Sequence, residues 1–177
     1  MRALWILLIS LGLTACAGQS LRDYQDQHPQ FDIETFFDGQ LMAYGAVFDN
    51  RGRVTRRFTA EIDAFRDQDN NIILDEIFYW SDGSQETRVW QLTPKEGSNC
   101  FIAEANDTKG STTGCTTGNA LNMKYQLWLP WRDGRISVTM DDWMYLIDDQ
   151  RLLNRTRISK FGFGLGEVVL WIERVGD

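Results

Sequence analysis

The stretch "FTAEIDAF", residues 58–65, places Phe58, Ala60, Ile62 and Ala64 in alternation with Thr59, Glu61 and Asp63. A period of two sends the two sets to opposite faces of a strand, one toward a core and one toward water, whereas a helix would repeat every 3.6 residues. Working outward, the same pattern returns in Leu121, Met123, Tyr125, Leu127 and Leu129, set against Asn122, Lys124 and Gln126. From Phe31 onward no long run of helical periodicity interrupts it. Strands are expected near 39–48, 53–66, 72–80, 85–93, 99–106, 114–129, 135–147, 151–161 and 165–174. Between them lie turn-forming stretches such as "DNRG" at 49–52, "DQDN" at 67–70, "SDGS" at 81–84 and "RDG" at 132–134. About nine strands in so regular a meander predict an all-β fold, a single antiparallel up-and-down barrel, because closure leaves no exposed sheet edge.

Alternation also places polar groups on apolar faces. In "RISVTMDDWMYL" (135–146) the inward set is Ile136, Val138, Met140, Asp142, Met144 and Leu146; in "QRLLNRTRISK" (150–160) it is Leu152, Asn154, Thr156, Ile158 and Lys160. Glu76 shares a face with Leu74, Phe78 and Trp80, and Arg88 with Trp90 and Leu92, so these two join Asp142, Asn154 and Lys160 as candidate ligand-binding residues. Two readings stay open. In one, a cavity with apolar walls binds an amphiphile whose polar group meets these side chains. In the other, the charges satisfy one another, Asp142 with Lys160 for example, and no ligand is needed.

The amino end carries an address. "ALWILLISLGL" (3–13) follows Arg2 and is too short to span a bilayer, but it suits a secretory signal. Leu13-Thr14-Ala15 before Cys16 resembles the lipobox of bacterial lipoproteins, where the cysteine sulfur takes a diacylglyceryl group built on palmitate-like chains. The expected organisation is a signal peptide over 1–15, a lipidated amino terminus and flexible tether over 16–30, and a barrel over 31–177. The tether "AGQSLRDYQDQHPQ" holds the only histidine, His28, at a position read as solvated.

A formal charge of −7 argues against a nucleic-acid partner, which calls for a basic stripe. Neighbouring carboxylates such as Asp75 with Glu76, or Asp141 with Asp142, point to opposite faces of a strand and cannot act on one atom. With no histidine in the body and no free nucleophilic cysteine, no catalytic residue is assigned. "DQDNN" (67–71) lacks the glycine and bidentate glutamate of a calcium loop, so neither metal nor cofactor is expected. Cys100 and Cys115 flank a hairpin around "NDTKG"; in an oxidising compartment a disulfide is expected, the alternative being two small core residues. Trp128 and Trp131, flanking Pro130, are the first candidates for docking on a protein partner, whose identity the sequence leaves unknown.

"FDIETFFDGQLMAYG" (31–45), "LDEIFYWSDGSQETRVW" (74–90), "TGNALNMKYQL" (117–127) and "DDWMYLIDDQRLLNRTRISKFGFGLGEV" (141–168) together resemble a family of bacterial lipoproteins known as domain of unknown function 3833. The resemblance implies a membrane-anchored, lipocalin-like single domain in the envelope of Gram-negative bacteria, with a hint toward lipid handling and no activity attached. "FFDGQ" stands where lipocalins begin with Gly-x-Trp. No aspartate follows Cys16, so resemblance to the common sorting pattern implies the periplasmic face of the outer membrane, with the covalent lipid as the membrane contact.

Overall fold

The computed structural model describes residues 18–176. Ten strands follow one another: β1 Gly39–Asp49, β2 Val54–Arg66, β3 Ile72–Trp80, β4 Gln85–Pro94, β5 Cys100–Ala105, β6 Thr112–Thr117, β7 Ala120–Trp131, β8 Gly134–Asp148, β9 Arg151–Lys160 and β10 Phe163–Arg174. Each pairs antiparallel with its sequence neighbours, and β10 pairs with β1 to close the barrel. Among the described residues no strand edge is left open to other chains.

The count is ten rather than nine because the stretch expected as one strand over 114–129 is two. Gly118 and Asn119 form a two-residue turn that pairs Thr117 with Ala120. Apolar alternation resumes directly after the turn, so periodicity alone does not register the break; the Gly-Asn dipeptide is its only mark. Gly118 has φ +56°, and a β-carbon there would lie 1.7 Å from the Tyr24 carbonyl oxygen. Both constraints demand glycine.

Phe58, Ala60, Ile62 and Ala64 are buried inside, while Thr59, Glu61 and Asp63 face water. Lys124, Arg155 and Arg157 are likewise exposed on the outer wall. A polar exterior around an apolar interior is the reverse of a membrane-spanning barrel, whose apolar band faces lipid.

The two ends differ. At one, the single-turn helix α1 (Ile33–Phe36) acts as a plug: Phe31, Ile33, Phe36 and Phe37 are all buried, and the Phe36 ring packs edge-on against Phe31 and Phe37. Asp32 caps this turn by accepting the Glu34 amide at 2.9 Å. Arg174 Nη1 donates to the carbonyls of Thr35 and Phe36 at 2.6 and 3.0 Å, holding the plug to the end of β10. The other end, ringed by the turns after β1, β3, β5, β7 and β9, is open.

Residues 18–30, expected as a flexible tether, lie against the outer wall. A 3-10 turn at Leu21–Tyr24 is capped by Ser20 and Asp23. The Tyr24 ring packs against Trp143 and Tyr145, and Gln19 Nε2 donates to the hydroxyls of Tyr24 and Tyr145. Trp143 points outward by alternation yet is buried beneath this strap. The polar composition of the segment hides its fit, which depends on one tyrosine and on the aromatic pair waiting on β8.

Candidate functional site

The interior holds a cavity of about 520 Å³, within the usual size range of small-molecule sites. Its wall includes Phe58, Phe78, Trp80, Trp90, Leu127 and Met140, and it extends toward Val47, Arg56 and Pro130 at the open end. Phe58, Phe78 and Trp80 form one aromatic cluster, and the Trp90 and Tyr125 rings meet edge-to-face at 5.1 Å. Arg56 sits over Trp80, its guanidinium carbon 3.7 Å from the ring centroid, and pairs with Asp82 and Glu86.

A belt of polar side chains crosses this apolar space at mid-height. The β3–β4 register sets Glu76 directly opposite Arg88, and both line the cavity. Across the lumen, β8 pairs Asp142 with Met123 of β7 and Thr156 of β9. The Asp142 carboxylate accepts hydrogen bonds from Asn154 Nδ2 and from Thr156 Oγ1. Arg88 forks onto Asp107, with Nε and Nη2 donating at 2.7–3.1 Å. Asp107 belongs to the loop after β5, which folds back over β7: its carbonyl accepts the Trp128 amide, and the Lys109 amide donates to Gln126.

Glu76 is the group this belt leaves incomplete. Its residue is 9% exposed, and Oε2 is buried with no hydrogen-bond partner. Burial raises its pKa to about 7; Arg88 opposes the rise, and Asp107 and Asp142 add to it. Burial likewise lifts Asp142 to about 6, against the hydrogen bonds from Asn154 and Thr156. Tyr125 is pushed up by burial and then by Asp142, so its hydroxyl stays protonated. Although burial works against the charge of Arg88, Glu76 and Asp107 hold it ionised. Among the described residues no three His, Cys, Asp or Glu side chains gather closely enough to hold a metal ion.

Of the residues singled out from sequence, Glu76, Arg88, Asp142 and Asn154 share the cavity wall and Lys160 does not. Lys160 Nζ donates to the Ser137 carbonyl at 2.6 Å and sits beside the Phe161 ring. It lies four residues beyond Thr156, roughly 13 Å along β9, so an Asp142–Lys160 pair does not form. Alternation assigns a face correctly, but at the end of a strand that face has left the core. Asp107 was invisible to the same reasoning, since a turn residue has no face to assign. Tyr125 and Thr156 were placed inside by alternation without a polar role.

Cys100 and Cys115 stand opposite one another on β5 and β6 and form a disulfide. Cys16 lies outside the described residues. Trp131 is 58% exposed at the tip of β7, while Trp128 is half-buried under Arg135, whose guanidinium carbon is 4.3 Å from its ring centroid. Phe161 and Phe163 beside the opening are 88% and 75% exposed.

The fold recurs in solved structures. The S-type phycobiliprotein lyase CPES of Guillardia theta superposes with a TM-score of 0.62 at 9% identity, over 90% of this chain and 99% of that one. A protein of unknown function from Nostoc punctiforme, of the DUF3598 family, gives a TM-score of 0.62 at 14% identity, over 90% of this chain and 53% of that one. Identities this low show a shared lipocalin-like barrel and nothing finer. No curated protein matches the chain. A family model described as "Protein of unknown function (DUF3833)" matches residues 10–174.

Proposed function

Since the chain belongs to the DUF3833 family of proteins of unknown function, its role must come from its own geometry, and we propose that the barrel binds a small amphiphile in its cavity. The observation that carries this reading is an apolar cavity of about 520 Å³ lined in part by Glu76, whose Oε2 is buried and unpartnered. A core serving only stability would fill that space and pair that oxygen. An internal charge network accounts for Arg88 with Asp107 but leaves Glu76 unfinished.

The proposal includes location. The signal-like run ending at Cys16 supports a periplasmic lipoprotein held in the outer membrane through its thioether-linked lipid, delivering or storing its ligand from that anchored position. The phycobiliprotein lyase shares the barrel's shape; an activity does not follow from it.

The test is titration of the body from residue 18 onward with N-phenyl-1-naphthylamine, a neutral apolar dye. That body contains every strand, the plug and the disulfide. Saturation at one dye per barrel, with quenching of tryptophan emission, is the expected outcome. Met140→Trp, which fills the cavity, should abolish it while the thermal transition persists. Linear, unsaturable uptake by the native body would overturn the reading.

A second reading rests on a separate observation. Trp131, Phe161 and Phe163 form an exposed apolar fringe beside the opening, and such a fringe favours docking on another envelope component.

A further inference from the structure

Within the cavity-binding reading, we propose that the pocket selects apolar molecules bearing a cationic nitrogen or another hydrogen-bond donor, and rejects those ending in a carboxylate. The inference rests on what the mid-height belt already has and what it lacks.

Three carboxylates, Glu76, Asp107 and Asp142, act electrostatically on this belt, against one guanidinium, that of Arg88. Arg88 has committed its fork to Asp107 at 2.7–3.1 Å. Asp142 accepts from the neutral donors Asn154 and Thr156, both on Oδ1. At the belt, the buried atom left without a partner is an acceptor, Oε2 of Glu76, a residue that lines the cavity. A ligand carboxylate would bring a further anion to a belt whose one guanidinium is already paired with Asp107, and it would leave Oε2 as it is. An ammonium or hydroxyl group would complete Oε2 and, if charged, would balance the surplus carboxylate in a medium where charges act strongly on one another.

The apolar walls set the rest of the ligand. Phe58, Phe78 and Trp80 on the open side of the belt, and Leu74, Leu92 and Phe101 on the plugged side, offer hydrocarbon or ring contacts and few further polar groups. The fitting class is therefore a long-chain amine or a compact apolar amine, with a long-chain alcohol as its uncharged analogue. At the opening, Arg56 holds its guanidinium over Trp80 and pairs its charge with Asp82 and Glu86.

The experiment is displacement of N-phenyl-1-naphthylamine from the body by dodecylamine, dodecanol and dodecanoate, each kept below its micellar concentration at pH 8. Dodecylamine should displace the dye at concentrations about tenfold or more below dodecanoate, with dodecanol between them. Glu76→Gln should bring amine and acid to within about threefold of one another. Dodecanoate displacing as well as dodecylamine would overturn the selectivity and leave the cavity-binding reading intact. An amine advantage unchanged in Glu76→Gln would assign it to the acidic surface and would also overturn the proposal. If the dye itself fails to saturate, the cavity-binding reading falls and the selectivity falls with it. The series on the native body stands without the variant, should Glu76→Gln fold poorly.

Discussion

Glu76 ties the stability of the barrel to pH in an unusual direction. Its pKa is raised from 4.5 to about 7 in the folded chain, and that of Asp142 from 3.8 to about 6, so between these limits the folded state binds more protons than the unfolded one. Stability contributed by the protonated forms is therefore complete at low pH and is lost as pH rises toward 7. The exposed carboxylates with lowered values, Asp49, Asp67, Asp82 and Asp148, act oppositely and only below about pH 4, clear of this window. We expect the urea midpoint of the ligand-free body to fall between pH 5 and 8, with Glu76 alone accounting for on the order of 3 kcal/mol. Glu76→Gln should abolish most of that fall, matching the native body at pH 5 and exceeding it at pH 8. A midpoint flat across this range would show that Glu76 is not held in an apolar site. The four residues that line the cavity were legible because a strand's period of two exposes any polar residue out of phase. Asp107, which completes Arg88, was not, because its position depends on a loop folding across β7.

Among the elements, the β5–β6 hairpin joins the two shortest strands, six residues each, paired over four positions. Inside the barrel, the Phe101 ring occupies the space beside Gly114, where a β-carbon would come within 2.3 Å of its edge. Outside, the disulfide between Cys100 and Cys115 closes a sequence separation of 15. Replacing both by serine should destabilise the body by about 3 kcal/mol, read as a drop of roughly 6–12 °C in the melting transition for a chain of this size. An unchanged transition would mean that the hairpin is held by packing alone. The same hairpin marks the limit of reading elements from pattern. The pairing of the two cysteines follows from a turn centred near Asp107 and Thr108, yet the paired ladder stops at Ala103 and Thr112 and a longer loop occupies the space between. One residue after Thr117, a glycine that serves both the turn and the strap divides what alternation presents as a single strand.

Taken as a molecule, the barrel connects each strand to its neighbour, and that is why its architecture was readable from local pattern: every pairing but the closure of β1 with β10 joins consecutive segments. The plug and the strap were not readable, because Phe31, Phe36 and Tyr24 acquire partners only once the barrel exists. For location, Cys16→Ser in the full chain should move the protein from the membrane fraction to the soluble fraction after a salt wash, since under the proposed anchoring two or more acyl chains on Cys16 would supply the attachment, at about 0.8 kcal/mol per buried CH₂. Retention of the variant in membranes would remove the lipid anchor from the account. The strap carries a further consequence. Gln19 is bonded to Tyr145, close to where β8 runs out beside the plug, and Cys16 stands three residues before Gln19 in the sequence. A lipid at Cys16 would hang the barrel by its sealed base, with its opening roughly 30 Å away and turned toward the aqueous gap. Cargo would then arrive and leave by handover across that gap, from a carrier or a facing surface, and would not slide in sideways from the leaflet that holds the protein.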